Sequence, residues 1–286
     1  MTKVYKNFDQ DSLDKEYLIA NTVPRIEPFL EKYKSLSAEA RDILDVREDV
    51  AYGSHPDEVI DIFPAGKNSP IFIFIHGGYW RMLSHKESSF MAQSMVKKGI
   101  MVIAVNYSLV GSGATITQIV HQCRAAIAWI WHNAKVLGGN PHKIFVGGSS
   151  AGGHLTGMML AGGWHNEFNV PENILKGAVP LSGLHDLRPV QLSCVNDWAK
   201  MDVKEATRNS PLLHLPKQGC PVIISYGTSE TSEFKRQSEI LANAWRTSGW
   251  KVDCFEHPNR NHFDIVFDLT EPKSLLGSRV FEMIAN

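Results

Sequence analysis

The chain has almost no excess of charge of either sign. Its 286 residues include 29 lysines and arginines against 30 aspartates and glutamates, for a formal net charge of −1. The basic residues are scattered and form no stripe, so nucleic acid and anionic membrane surfaces have no electrostatic footing as partners. Cysteine is scarce: Cys123, Cys194, Cys220 and Cys254 lie far apart and form no C-x-x-C pair. They read as free thiols in a reducing compartment rather than a disulfide framework. No apolar run approaches the roughly 18 residues of a membrane span, and Met1 to Phe8 lacks the apolar core of a signal peptide. These absences predict a cytoplasmic protein. Cofactor motifs are missing too. There is no H-E-x-x-H, no metal-spaced Cys/His cluster and no G-x-G-x-x-G opening a helix. Gly147 and Gly152 have the spacing of a P-loop, but Gly153 stands where that loop needs lysine. No cofactor and no metal are therefore expected.

What the chain does have is apolar content, 43% of residues, enough for one large core. Residues 1 to about 45 are charged and interrupted by Pro24 and Pro28, and read as helical turns on the outside of the main domain. From Val59 the pattern changes. Residues 59–63 alternate like a half-buried strand, and 70–75 form a continuous apolar run, as a strand buried on both faces does. A helix is expected from about Ser84 to Lys98, a strand over 101–106, and a long helix from Ile116 to Leu137 stopped by Gly138. Further strands are expected from Lys143 and over 177–181, 221–226 and 251–255, with a helix from Glu233 to Ser248 before the last. Strands alternating with helices predict an α/β fold: a mainly parallel sheet covered on both faces. The whole chain, 1–286, reads as a single domain. Residues 183–215 break the alternation and are expected to form a small cap or insert over the carboxyl ends of the strands.

The chemistry is concentrated at Gly148-Ser149-Ser150-Ala151-Gly152, between the strand beginning at Lys143 and a helix reaching about Gly162. A serine hydroxyl is a poor nucleophile and must be held exposed beside a base. A sharp strand-to-helix turn does this, and its crowded backbone calls for glycine on both flanks. Ser150 is the candidate nucleophile. The base should follow the last strand: His262 is chosen, with His257 as competitor. The acid should follow the strand ending at Tyr226. Glu230 is chosen and Glu233 is the alternative, although a carboxylate at a helix start has an obvious local use. The oxyanion hole needs two N–H donors. One is Ala151, after the nucleophile. The other should come from Gly77, Gly78 and Tyr79, directly after the buried strand 70–75.

These residues resemble a known family. His76-Gly77-Gly78-Tyr79-Trp80, the elbow running into Gly153-His154-Leu155, and Asn261-His262-Phe263-Asp264-Ile265 look like kynurenine formamidase (arylformamidase). So do Ser182 to Arg188, Asn209 to Pro211 and Glu233 to Ser238, and the resemblance runs from about Val59 to the end. It implies a cofactor-free α/β-hydrolase fold with Ser150, Glu230 and His262 as triad. Glu230 stands where the family usually has aspartate, and Ser149 where histidine is common. Trp80 and Ser149 are expected at the substrate. The implied reaction is hydrolysis of a small N-formyl arylamine such as N-formylkynurenine through an acyl-enzyme. A short-acyl carboxylesterase is the nearest alternative, and a non-catalytic ligand receptor on a hydrolase scaffold a distant one. The expected partners are a small-molecule substrate and, at most, a second copy of the chain in a homodimer.

Overall fold

The apolar runs of the sequence become the centre of a sheet in the computed structural model, which describes residues 2–286. Eight strands take part: β1 (Arg47–Ala51), β2 (Val59–Phe63), β3 (Ser69–Ile75), β4 (Met101–Val105), β5 (Gly139–Ser149), β6 (Leu175–Leu181), β7 (Val222–Gly227) and β8 (Val252–His257). Their spatial order is β1-β2-β4-β3-β5-β6-β7-β8. The pairs β1–β2 and β2–β4 are antiparallel and the others parallel. Successive side chains of a strand point to opposite faces. Ile71, Ile73 and Ile75 of β3 therefore enter one core, and Phe72 and Phe74 enter the other. That is why the sequence is continuously apolar there rather than alternating.

The helices are α1 (Gln10–Tyr17), α2 (Glu27–Ile43), α3 (Ala92–Val96), α4 (Ile116–Leu137), α5 (Ala151–Leu160), α6 (Leu187–Gln191), α7 (Asn196–Ala199), α8 (Val203–Arg208), α9 (Ser232–Thr247) and α10 (Leu275–Ala285). Residues of α1, α4, α5 and α9 pack into the first core, and residues of α2, α3 and α10 into the second. Helix α4 has the expected bounds for local reasons. Thr115 and Gln118 form a reciprocal cap at its start, and Gly138 ends it in a left-handed conformation at φ 93°. Among the described residues, no helix is long and apolar enough to cross a membrane.

Three expectations need correction. The helix expected from Ser84 to Lys98 is only a 3-10 turn, His85–Glu87, and the short α3. The carbonyls of His85 and Lys86 accept from the Arg41 guanidinium at 3.2 and 2.7 Å, which competes with a continuous helical ladder. Strand β1 was not anticipated because Arg47, Glu48 and Asp49 are charged and exposed. It is the sheet's edge, where charge discourages further pairing. The N-terminal segment does not merely lie outside. Leu13 and Tyr17 are fully buried. Tyr33 stacks on Phe90 and tilts against Phe267, with ring centroids 5.4 and 5.2 Å away. Glu16 accepts from Ser232 Oγ and the Glu233 amide, both at 2.8 Å, and so caps α9.

The tightest backbone approach joins β3 to the β5–α5 turn. A Cβ on Gly152 would lie 2.0 Å from the Ile75 carbonyl oxygen and 2.7 Å from that of His76. One on Gly148 would lie 2.4 Å from the Gly152 carbonyl oxygen and 2.6 Å from that of Ile75. These neighbours are backbone and cannot swing away. Gly152→Ala is therefore expected to destabilise the fold by about 2 kcal/mol or more. Gly111→Ala, whose added methyl meets nothing within 4 Å, should change stability by no more than about 0.5 kcal/mol. Urea midpoints at unchanged slope would check both.

Candidate active site

Ser150 sits at the β5–α5 junction with φ 59° and ψ −120°, a backbone state that non-glycine residues rarely adopt. The strain persists because both sides of the turn are fixed. The Ser150 amide donates to the Leu181 carbonyl at 2.9 Å, and the His154 amide donates to the Ser150 carbonyl at 2.9 Å. The turn lifts the side chain out of the sheet and places it at the N-terminus of α5, where free amides favour negative charge.

Glu230 lies in the short turn after β7 and is 6% exposed. Its carboxylate is held by three donors. Oε1 accepts from Ser182 Oγ at 2.6 Å and from the Gly227 amide at 2.7 Å. Oε2 lies 3.0 Å from Nδ1 of His262. An ionised carboxylate only accepts, so Nδ1 is the donor of this pair. His262 is 4% exposed. Its loop is pinned on both sides. His257 Nε2 and Arg260 Nη2 reach the Asp268 carboxylate at 2.7 and 2.6 Å, and Asn261 Oδ1 accepts from the Phe263 and Asp264 amides. Burial raises the pKa of Asp268, but the His257 hydrogen bond and Arg260 together bring it below the ordinary carboxylate value. His257 is thus committed to bracing the loop.

Glu233, the alternative acid, is also committed. It accepts from Tyr17 OH at 2.7 Å and makes two 2.7 Å bonds to Arg236. The expected use of its carboxylate at the free amides of α9 is not found, because Glu16 of α1 serves there instead.

The loop after β3 completes the arrangement. Gly78, Tyr79 and Trp80 have φ of 94°, 50° and 60°. The Arg81 amide donates to the Gly78 carbonyl at 3.0 Å and closes a turn over them. A Cβ on Gly77 would lie 2.7 Å from the Ser149 carbonyl oxygen, so only glycine lets this loop approach the elbow so closely. Among the described residues, the amides of Gly78, Tyr79 and Ala151 have no acceptor. His76 stacks on Tyr107 with centroids 3.9 Å apart and is pushed down to about 3 by burial, so it stays neutral beneath the loop.

Ser150, His262, Ser149, Gly77, Gly78 and Tyr79 all line one apolar cavity of about 150 Å³. Ser150 Oγ and His262 Nε2 are not hydrogen bonded to each other among the described residues. Trp80 is brought elsewhere. It is fully buried, and its Nε1 donates to His154 Nδ1 at 3.2 Å, so it anchors the strained turn and is not part of the cavity wall. Sequence reasoning missed much of the cavity wall: Ile19, Leu30 and Tyr33 from the N-terminal segment, Met82 from the loop, and Trp198 of α7. Their apolar character was visible, but nothing local marked them as converging.

A metal has no free place in the one suitable cluster among the described residues. Asp49, Asp61 and His85 bring ligand atoms within 4.8 Å of one another. The Lys86 ammonium already reaches both carboxylates at 3.1 Å, and Arg41 bonds Asp61 at 2.8 Å.

Comparison with known proteins agrees with this architecture. A family model described as BD-FAE matches residues 60–245. The chain is 31% identical over 294 positions to kynurenine formamidase of Danio rerio and 30% identical over 295 positions to that of Salmo salar. Each alignment covers 98% of this chain and 98% of the relative. Among solved structures, a candidate thioesterase of Silicibacter sp. superposes with a TM-score of 0.82 at 27% identity, covering 96% of this chain and 99% of that one. Matched along nearly its whole length, the chain is a hydrolase of the α/β-hydrolase fold and belongs to the kynurenine formamidase family.

Proposed function

We propose that Ser150, His262 and Glu230 form a catalytic triad that hydrolyses a small N-formyl arylamine, N-formylkynurenine in the first instance. The observation that carries this reading is the 3.0 Å Glu230–His262 pair facing the same cavity as the strained Ser150. His262 Nε2 takes the hydroxyl proton as Ser150 Oγ attacks the formyl carbon. The carbonyl oxygen becomes an oxyanion stabilised by the amides of Gly78 or Tyr79 and Ala151, a role supported by their lack of any other acceptor among the described residues. Collapse breaks the C–N bond, and the imidazolium gives its proton to the departing arylamine. Water, deprotonated by the same nitrogen, then attacks the formyl-enzyme; the bond from the formyl carbon to Oγ breaks, formate leaves, and the imidazolium returns its proton to Ser150 Oγ. Glu230 keeps Nδ1 protonated and stabilises the imidazolium. Cavity size favours an aromatic leaving group, since an apolar space of about 150 Å³ suits one aromatic ring. The chain is read as one catalytic domain in which 183–215 acts as a cap, because α7 brings Trp198 to the cavity.

A second reading, a short-acyl esterase, is favoured by the thioesterase description of the structural neighbour. Side-by-side kcat/KM for N-formylkynurenine and for short acyl esters separates the two. The formamide should be preferred, and an enzyme active only on esters would refute the first reading.

Ser150→Ala should lower kcat on the order of 10⁶-fold and leave the fold intact. A serine-directed phosphonate should label Ser150 and not Ser149, as peptide mass analysis would reveal. Glu230→Gln should cost about 10⁴ in kcat by removing the orienting charge. Glu233→Gln should instead lower stability by about 1–3 kcal/mol, through its bonds to Arg236 and Tyr17, and change kcat only a few-fold. Steady-state kinetics paired with urea unfolding distinguishes these two outcomes, and the reverse pattern would move the acid to Glu233.

A further inference from the structure

One charged side chain on the cavity wall has no part in the triad chemistry. Arg81 lines the cavity, is exposed, and forms no ion pair among the described residues. Its position is fixed by the turn that presents the oxyanion amides. The hydrogen bond from its amide to the Gly78 carbonyl closes that turn, whose ends lie within about 7 Å of each other. The side chain is also held. The guanidinium carbon lies 3.9 Å from the ring centroid of Trp198, and Trp198 packs edge-on against Tyr79 at 5.7 Å. Stacking occupies the flat face of a guanidinium and leaves its in-plane N–H donors free, in the fork that suits a carboxylate.

The other charges near the cavity do not compete for it. Glu87 lines the wall, but its Oε2 accepts from the Ser84 amide at 3.0 Å and from Ser84 Oγ at 2.8 Å. Glu230 is enclosed by Ser182, Gly227 and His262. An arginine that merely kept the surface soluble would need no aromatic platform beside the oxyanion turn.

The geometry points to Arg81 as a specificity-determining residue that receives the carboxylate of an aromatic amino-acid substrate. This rests on the formamidase reading for the identity of the substrate. A formylated aryl ketone with an amino-acid tail carries its carboxylate a few bonds beyond the ring. With the formyl group at the amides, the ring fills the apolar cavity and the tail extends toward its rim. The site then prefers an anionic aryl formamide to a neutral one of the same core.

Two measurements test this. The first compares kcat/KM for N-formylkynurenine and for 2-formamidoacetophenone, which keeps the formanilide and the ketone but lacks the tail. Arg81→Met should lose about tenfold on the former, mostly in KM, and less than twofold on the latter, and Arg81→Lys should recover part of the loss. An equal loss on both substrates, or none on N-formylkynurenine, overturns the assignment. The second is independent of any turnover: calorimetric binding of 3-benzoylpropionate and of its uncharged primary amide. Wild type should bind the acid about tenfold more tightly than the amide, and Arg81→Met should bind them alike. Equal binding by wild type overturns the role of Arg81. Should the wild type hydrolyse only esters yet still prefer the acid, the formamidase reading fails and the carboxylate site stands.

Discussion

Everything in the site depends on one contact between main chains. The end of β3 and the start of α5 approach so closely that residues 148 and 152 have no room for a side chain. That contact fixes the height of Ser150 above the sheet and its distance from the loop that follows β3. Ser150 beside it is held at positive φ, at a cost of order 1–3 kcal/mol that the surrounding hydrogen bonds offset. A second strained stretch, Gly78 to Trp80, follows Gly77, which packs against the Ser149 carbonyl. Two strained turns packed side by side fit a site whose donors are arranged before substrate arrives, so that little reorganisation remains for the reaction itself.

What could be read from the sequence follows from how local each signal is. The buried strands β3, β4 and β7 and the helix α4 were legible because periodicity and end-signals are properties of neighbouring residues. The elbow at Ser150 and the pairing of Glu230 with His262 were legible because each follows a strand end, and the sheet gathers strand ends together. The N-terminal contribution was not legible. Leu13, Tyr17 and Tyr33 are apolar residues in a charged stretch, and only their distant partners show that they are buried. Trp80 was misplaced for a related reason. Next to an oxyanion loop an aromatic ring suggests substrate contact, but a turn with positive φ at Tyr79 and Trp80 needs an anchor, and the buried indole bonded to His154 supplies it.

Histidines illustrate how environment assigns roles to one residue type. His76, His154 and His185 are fully enclosed, and burial pushes them down to about 3, 4 and 3. They remain neutral packing groups near neutral pH. His257 is tied to Asp268 and braces a loop. His262 alone combines a buried carboxylate partner with a place on the cavity wall. The candidate base is distinguished by its surroundings, which the residue letter does not carry.

The N-terminal wall of the cavity also bears on how the protein is made. Tyr17 meets Glu233 across 216 positions of chain, and Tyr33 meets the Phe263 carbonyl across 230. Contacts between residues so distant in sequence are slow to form, because a large loop must close before they stabilise anything. Tyr17 and Tyr33 leave the ribosome more than 200 residues ahead of these partners. Until then Tyr17 and Tyr33 lack these partners, and the N-terminal wall of the cavity is not fixed. The pocket therefore waits for residues as far along as Val266, and a nascent chain halted before α9 lacks it however well its early strands have paired.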